Sequence, residues 1–365
     1  MERGEPNEKG MHMIRSTHRR WRAAALLSAA VLMGTTACAS STDGSTAGGG
    51  STAGGGLTDV PLAITGLNAL HLWMIVARDQ KLMEPAGIKM DLIVFSGQAQ
   101  VVPSLLSGAS RFASSTPEQA MEAHLQQKDL NLVVGTETGS PYSLIASPDI
   151  TSIKDLRGKK IGVNGVGASA DYFAGKLLLA DKGLQEGADY TFTNVGVTAQ
   201  RVAALQANQV SAVLLFPPDT AKALDVGAKQ IALATDSPAL KSAMTGGLVS
   251  LSSWYDKNKD VATKFVKGYQ DTMKWLYDPA NRAQAVKDFA AQFKISDAAA
   301  GDVYDYFITN VHKNEDLTGM VHQDSLAQTL KNAQTVGLKS LLSVNSADLS
   351  SFYDNALVDA AKSGS

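Results

Sequence analysis

The stretch Gly165-Val166-Gly167-Ala168-Ser169-Ala170 fits the spacing G-x-G-x-x-A, follows an apolar run that reads as a strand, and opens a helical pattern. Glycines so placed let the backbone approach a bound group, and amides at a helix N-terminus attract its polar or anionic end. A dinucleotide site also needs an acidic residue closing the next strand. That strand ends in Thr193-Asn194-Val195, with Glu186 and Asp189 ahead of it, so the motif reads as a small-ligand loop or a tight structural turn. Four further strand-end loops are small and polar: Gly66-Leu67-Asn68-Ala69, Ser96-Gly97-Gln98, Ser114-Ser115-Thr116 and Pro217-Pro218-Asp219. Loops at the carboxyl ends of strands in open α/β sheets face a shared crevice, where backbone amides and hydroxyls hold a ligand. The candidate contacts are therefore Asn68, Ser96, Gly97, Ser114, Ser115, Thr116, Gly165, Val166, Gly167, Ser169 and Asp219. His71, Trp73 and Tyr142 adjoin these loops. His71 is either a ligand contact or a packed helix-start histidine, and each aromatic either stacks on a planar ligand or belongs to the core.

Catalytic and metal-binding chemistry finds little support. The six histidines lack metal-ligand spacing, and neither H-E-x-x-H nor G-x-S-x-G occurs. The single cysteine, Cys38, excludes a disulfide scaffold and a Cys-rich metal site, and no Cys–His nucleophile is expected. No metal and no cofactor is expected.

The elements that must carry these loops alternate. Val60–Thr65, Met90–Phe95, Arg111–Ser114 and Leu130–Val134 read as strands, with helices over His71–Lys81, Gln98–Ser107 and Pro117–Lys128 between them. Thr116 is an N-cap, with Pro117 at N1 and Gln119 at N3. The rhythm repeats with strands at Lys160–Val163, Tyr190–Val195, Val210–Leu215 and Gln230–Ala234, and helices at Ser169–Lys182, Thr198–Ala207 and Asp219–Asp225. Ser152 to Asp155 starts a short helix that Gly158 ends. From Lys257 the chain is mostly helical. This is an α/β pattern, and strand–helix–strand repeats predict parallel sheets.

The chain has 365 residues, 44% apolar and 19% charged, which suits two domains or one two-lobed unit. Residues 1–37 read as a signal peptide: a basic region ending at Arg22, then the apolar run Ala23–Met33, too short to span a bilayer. The following Gly34-Thr35-Thr36-Ala37-Cys38 resembles the bacterial lipoprotein signal, in which the cysteine becomes a lipid anchor. The other reading is an ordinary secretory signal. Residues 38–56, with Ser-Thr-Ala-Gly-Gly-Gly twice, form a flexible tether. Losing residues 1–37 removes six of 33 basic and three of 35 acidic residues, leaving a charge of −5 and no basic face for nucleic acid.

The ordered set Val76–Met83, Ala86-Gly87-Ile88, Phe95-Ser96-Gly97, Leu105–Gly108 and above all Asp155-Leu-Arg-Gly-Lys-Lys-Ile-Gly-Val163 resembles the solute-binding proteins of bacterial ABC importers. The resemblance is to the branch for sulfonates, nitrate, taurine and thiamine-pyrimidine precursors, the NMT1/THI5-like branch. Lys81 and Arg111 depart from it, standing where a glycine and an acidic residue are usual. The resemblance implies a two-lobed periplasmic-binding-protein-like fold of type II with a helical C-terminal region. Lobe 1 would comprise 57–145 and 245–365, and lobe 2 would comprise 146–244, with the ligand cleft between them. It implies a monomeric, extracytoplasmic receptor, lipid-anchored to the outer face of the cell membrane. Such a receptor passes a small organic or anionic solute to a permease with a cytoplasmic ATPase. The alternatives are a ligand-sensing partner of a membrane receptor and a pyrimidine-synthase-like enzyme. The enzyme branch carries a cysteine-rich motif, whereas here only Cys38 is present.

If Cys38 carries the lipid, Cys38→Ser releases the protein from the membrane fraction. Equal membrane association of wild type and variant, measured by fractionation and immunoblot, refutes the anchor.

Overall fold

A computed structural model describes residues 56–95, 100–167, 169–311 and 317–363. The signal peptide, Cys38, nearly all of the tether, Ser96, Gly97 and Ala168 lie outside the described residues. Among the described residues ten strands form two sheets of five. The first contains β1 (Thr58–Thr65), β2 (Ile88–Phe95), β3 (Phe112–Ser115), β4 (Leu130–Thr138) and β10 (Met244–Leu251), in the order β2-β1-β3-β10-β4. The second contains β5 (Ser143–Ala146), β6 (Lys159–Val163), β7 (Tyr190–Asn194), β8 (Ala212–Leu215) and β9 (Lys229–Leu233), in the order β7-β6-β8-β5-β9. The helices are α1 (Leu72–Asp79), α2 (Val101–Leu106), α3 (Pro117–Gln126), α4 (Ala170–Asp181), α5 (Thr198–Gln206), α6 (Asp219–Asp225) and α7 (Pro238–Ser242). They continue as α8 (Ser252–Tyr255), α9 (Lys259–Tyr277), α10 (Arg282–Phe293), α11 (Asp297–Tyr306), α12 (Gln323–Thr335) and α13 (Ala356–Ser363). No described helix is long and apolar enough to cross a membrane.

Each sheet is buried on both faces, with strand residues alternating between two cores. In the first sheet Leu62, Ile64, Phe112, Val134 and Leu248 pack with residues of α1, α9, α10 and α11, while Ala63, Ala113, Leu132 and Val249 pack with those of α2, α3 and α12. In the second sheet Leu144, Ile161, Val163 and Leu214 meet α4 and α7, and Ile145, Val213 and Leu215 meet α5 and α6.

The expectation of parallel sheets holds for β1–β3 and β6–β8 but not throughout, because both sheets are mixed. β10 runs antiparallel to β3 and β4, and β5 runs antiparallel to β8 and β9. Neither β5 nor β10 was among the predicted strands. The reason is how the chain changes sheets. β4 ends at Thr138, and after four intervening residues β5 begins at the carboxyl end of β8, pairing Ser143 with Leu215. A strand that enters a sheet from its carboxyl end must run against its neighbours. The return repeats the geometry: β9 ends beside the start of β5, and β10 begins at the carboxyl end of β4, pairing Met244 with Thr138.

The two crossings lie side by side. The Gly139 amide donates to the Ala243 carbonyl at 2.9 Å, the Ser140 amide to the Leu240 carbonyl at 3.0 Å, and the Thr245 hydroxyl to the Gly139 carbonyl at 3.0 Å. Helices clasp the pair. Tyr306 Oη donates to the Pro141 carbonyl at 2.7 Å, Asn332 Nδ2 to Ala239 at 2.9 Å, and Thr329 Oγ1 to Met244 at 2.8 Å.

Beside the crossings a second backbone segment presses on β4. The Gly135 amide donates to the Gly319 carbonyl at 2.8 Å, and a Cβ on Gly135 would lie 2.9 Å from the Met320 carbonyl oxygen. Gly135→Ala is expected to lower stability by about 1–3 kcal/mol through this overpacking. Urea unfolding checks it, and an unmoved midpoint would show that residues 317–321 shift aside freely.

Candidate functional site

Both crossings leave and enter at the carboxyl ends of the sheets, so the predicted loops gather around them. On the first sheet these are the loop after β1, the Ser114–Thr116 end of β3 and the start of β10. On the second they are the loops after β6 and β8, and Tyr142 just ahead of β5. Phe216, which follows β8, packs against the main apolar cluster of the first sheet.

Local chemistry explains each loop. Asn68 Oδ1 accepts from the Leu70 amide at 2.9 Å, and the Asn68 amide donates to His71 Nδ1 at 3.3 Å, a reciprocal cap on the turn that leads into α1. His71 is buried and neutral, since burial pushes its pKa down to about 4. Its place is that of the packed helix-start histidine. Trp73 is 1% exposed and meets Tyr269 edge-on at 5.0 Å, so it is core. Thr116 caps α3 as expected, accepting from the Gln119 amide at 3.4 Å, while Ser115 Oγ donates to the Thr116 carbonyl at 3.1 Å. Ser114, Ser115 and Thr116 are all half-buried. In the first turn of α3, Glu118 is half-buried, and burial pushes its carboxyl up to about 7 against the opposing hydrogen bond from Thr116.

The loop after β6 is held by hydrogen bonds of its own. Its amides are largely occupied: Asn164 donates to Asp171 Oδ2 at 2.8 Å, Gly165 to Ser169 Oγ at 3.0 Å, and Val166 to Asn194 Oδ1 at 2.6 Å. Ser169 Oγ in turn donates to the Gly165 carbonyl at 2.8 Å, spanning the turn. Gly167 has φ +80°, a left-handed conformation that favours glycine, and nothing crowds the position of its missing Cβ. These glycines and polar residues therefore build a self-satisfied turn. Ser169 places no side-chain cap on α4, and Val166 is 39% exposed.

Three side chains absent from the sequence-derived set stand at the same end of the sheets. Arg201, on α5, is ion-paired with Asp171 in the first turn of α4, and their side chains are 5% and 2% exposed. Arg201 is electrostatically coupled to Tyr142 and Asp219. Tyr142 is half-buried, meets Phe216 edge-on at 5.5 Å, and has its hydroxyl pKa raised by burial. Asp219 accepts from Lys222 at 2.7 Å. The third is Glu137 of β4, buried beside the crossings, where the Thr136 hydroxyl donates to its carboxylate. The carboxylate fills the space a side chain at Gly246 would need. An arginine inside a predicted helix gives no local signal, although a charge at the fourth position of an otherwise apolar helix face was one available hint. Among the described residues no three His, Cys, Asp or Glu side chains gather as a metal site.

Comparison with known proteins adds the following. The family profile NMT1/THI5 like matches residues 68–283. No curated protein matches. Among solved structures, the chain is similar to the ligand-binding component of an ABC-type import system from Staphylococcus aureus, at 17% identity and TM-score 0.65 over 82% of this chain and 98% of that one. It is also similar to a putative periplasmic sulfonate-binding protein from Methylobacillus flagellatus, at 17% identity and TM-score 0.65 over 84% and 94%. A third is the periplasmic nitrate-binding protein of Synechocystis, at 13% identity and TM-score 0.64 over 84% and 89%. At these identities the likeness establishes the periplasmic-binding-protein fold.

His71 makes this end of the first sheet pH-sensitive. The folded ring stays neutral down to about 4, whereas the unfolded chain takes up a proton near 6.5. Its contribution is therefore complete above pH 6.5 and is lost as pH falls toward 4, by at most about 3 kcal/mol. Glu118 acts in the opposite sense over part of this range, so wild type is compared with His71→Gln, which retains it. The stability advantage of wild type is expected to shrink between pH 7 and pH 4 in urea titrations. A constant difference would show that the ring charges in the folded state.

Proposed function

Because this chain belongs to the NMT1/THI5-like family, whose profile spans more than half of it, we propose that it is the extracytoplasmic solute-binding component of an ABC importer. Cys38 anchors it to the outer face of the cell membrane, and the tether lets the folded part reach a permease. The chain acts as a monomer and changes no bond in the solute it captures.

The observation that carries this reading is the pair of crossings. Two sheets present their carboxyl-end loops around Gly139–Tyr142 and Ala239–Thr245, and a short hydrogen-bonded ladder joins the crossings. A short two-strand connection allows rotation of two well-packed bodies with little change elsewhere, which is hinge closure. In this reading residues 57–145 with 245–365 form one lobe and 146–244 the other. A solute gains affinity only where both lobes touch it. The first lobe offers Asn68, Ser114, Ser115 and Thr116, joined by Ser96 and Gly97. The second offers Val166, Gly167 and Asp219, with Gly165 and Ser169 shaping the turn that carries them, and Tyr142 stands on the crossing between the two. His71 supports the first set from beneath.

The likeness to import-system binding components supports the role, and the named ligands of those proteins mark the classes to try first. A thermal-shift panel of alkanesulfonates, nitrate and small uncharged amides identifies a ligand, because one present at 100 times its Kd stabilises by about 2.7 kcal/mol. X-ray scattering at saturation is expected to show a smaller radius of gyration, and mass spectrometry of the released ligand to return it unchanged. A chemically altered ligand, or saturation with no change in shape, overturns the receptor reading.

A further inference from the structure

The start of α5 contains a buried donor that the fold leaves without an acceptor. Arg201 Nη1 bonds Asp171, and Nη2 donates to Thr198 Oγ1 at 3.1 Å. Arg201 Nε is buried and unpartnered. Asp171 accepts from Arg201 and, at 2.8 Å, from the Asn164 amide. In the first turn of α6, Thr220 is 6% exposed, and its Oγ1 is also buried without a partner. Thr220 follows Asp219, which together with Tyr142 lies within electrostatic reach of the Arg201 guanidinium. Two orphaned polar groups therefore occur where α4, α5 and α6 begin, beside the loops after β6 and β8. A buried polar group without a partner bears its full desolvation penalty, so two together need an explanation.

We propose that Arg201 Nε and Thr220 Oγ1 are kept for an uncharged hydrogen-bond acceptor on the solute, a carbonyl or amide oxygen, and not for an anion. The inference rests on the solute-receptor reading and deepens it. The deciding term is charge. Asp171 already neutralises Arg201 inside the protein, and Asp219 adds a second carboxylate to the same neighbourhood. Asp219 has its own cation in Lys222, so an anionic group placed against Nε would be a second negative charge sharing the one buried cation that Asp171 already neutralises, which low-dielectric surroundings penalise. An uncharged oxygen fills the donor and adds no charge. The ring of Tyr142, edge-on to Phe216, gives such a group an apolar wall.

The mature protein is tested with matched pairs on one scaffold, benzamide with benzoate and nicotinamide with nicotinate, together with ethanesulfonate and nitrate, by thermal shift and calorimetry. The expected result is that an amide binds at least tenfold more tightly than its carboxylate partner. Arg201→Lys keeps a counter-charge for Asp171 but removes Nε–H, and is expected to weaken amide binding at least tenfold, about 1.4 kcal/mol. Thr220→Val removes the orphaned hydroxyl at equal volume. It is expected to leave the unliganded melting temperature unchanged or higher while weakening amide binding. The inference is overturned if ethanesulfonate, nitrate or a carboxylate binds as well as the amides, or if no amide binds. It is equally overturned if Thr220→Val lowers the unliganded melting temperature or binds amide as wild type does. An anion that binds and closes the lobes sinks this inference while leaving the receptor reading intact.

Discussion

The chain passes from one sheet to the other and back along two adjacent paths, and most of the architecture follows from that. Because both passages leave and enter at carboxyl ends, the strands they introduce, β5 and β10, run against their neighbours. Because the passages pair with each other through Gly139–Ala243 and Ser140–Leu240, the two sheets hold their polar loops around one place. Tyr306, Thr329 and Asn332 bond to carbonyls of the crossings and of the start of β10 from helices packed on the first sheet. The connection is thus braced by helices packed on the first sheet.

Several ionisable groups at this end of the sheets are neutral or paired. His71 is neutral in its cap, Asp171 cancels Arg201, and Lys222 accompanies Asp219. A buried ion pair of this kind contributes little net stability against its desolvation, but removing one partner is strongly destabilising. The loop after β6 tells the same story with hydrogen bonds. Asp171, Ser169 and Asn194 accept from the amides of Asn164, Gly165 and Val166.

Much of this was legible wherever the determining contacts are local. The Thr116 cap with Pro117 at N1, the turn ending in Gly158 and the span Asp219–Asp225 all depend on residues within one or two turns, and each stands where the pattern placed it. The loops were legible for the same reason, because Gly, Ser, Asn and Pro satisfy backbone groups in turns. What each loop does with its amides was not. Gly165 and Gly167 look alike in sequence whether they cradle a ligand or close a turn, and only the positions of Ser169, Asp171 and Asn194 distinguish the two.

Period, caps and turn chemistry in the amino-acid order thus determined an α/β chain, its helix starts and its strand-end loops, while the resemblance to a family rested on matched runs such as Asp155–Val163. Tertiary structure decided what depends on residues far apart in the chain. Met244–Leu251 carries two adjacent glycines and has weak strand propensity, yet it is a strand because β3 and β4 pair with both its edges. Trp73 is core because Tyr269, from α9, closes over it. Arg201 is buried because Asp171, thirty residues earlier, is brought beside it by the packing of α4 and α5 on opposite faces of one sheet. Local pattern records how a segment satisfies its own backbone. Which side chain meets a distant partner is decided only when the sheets assemble and burial forces every charge to find one.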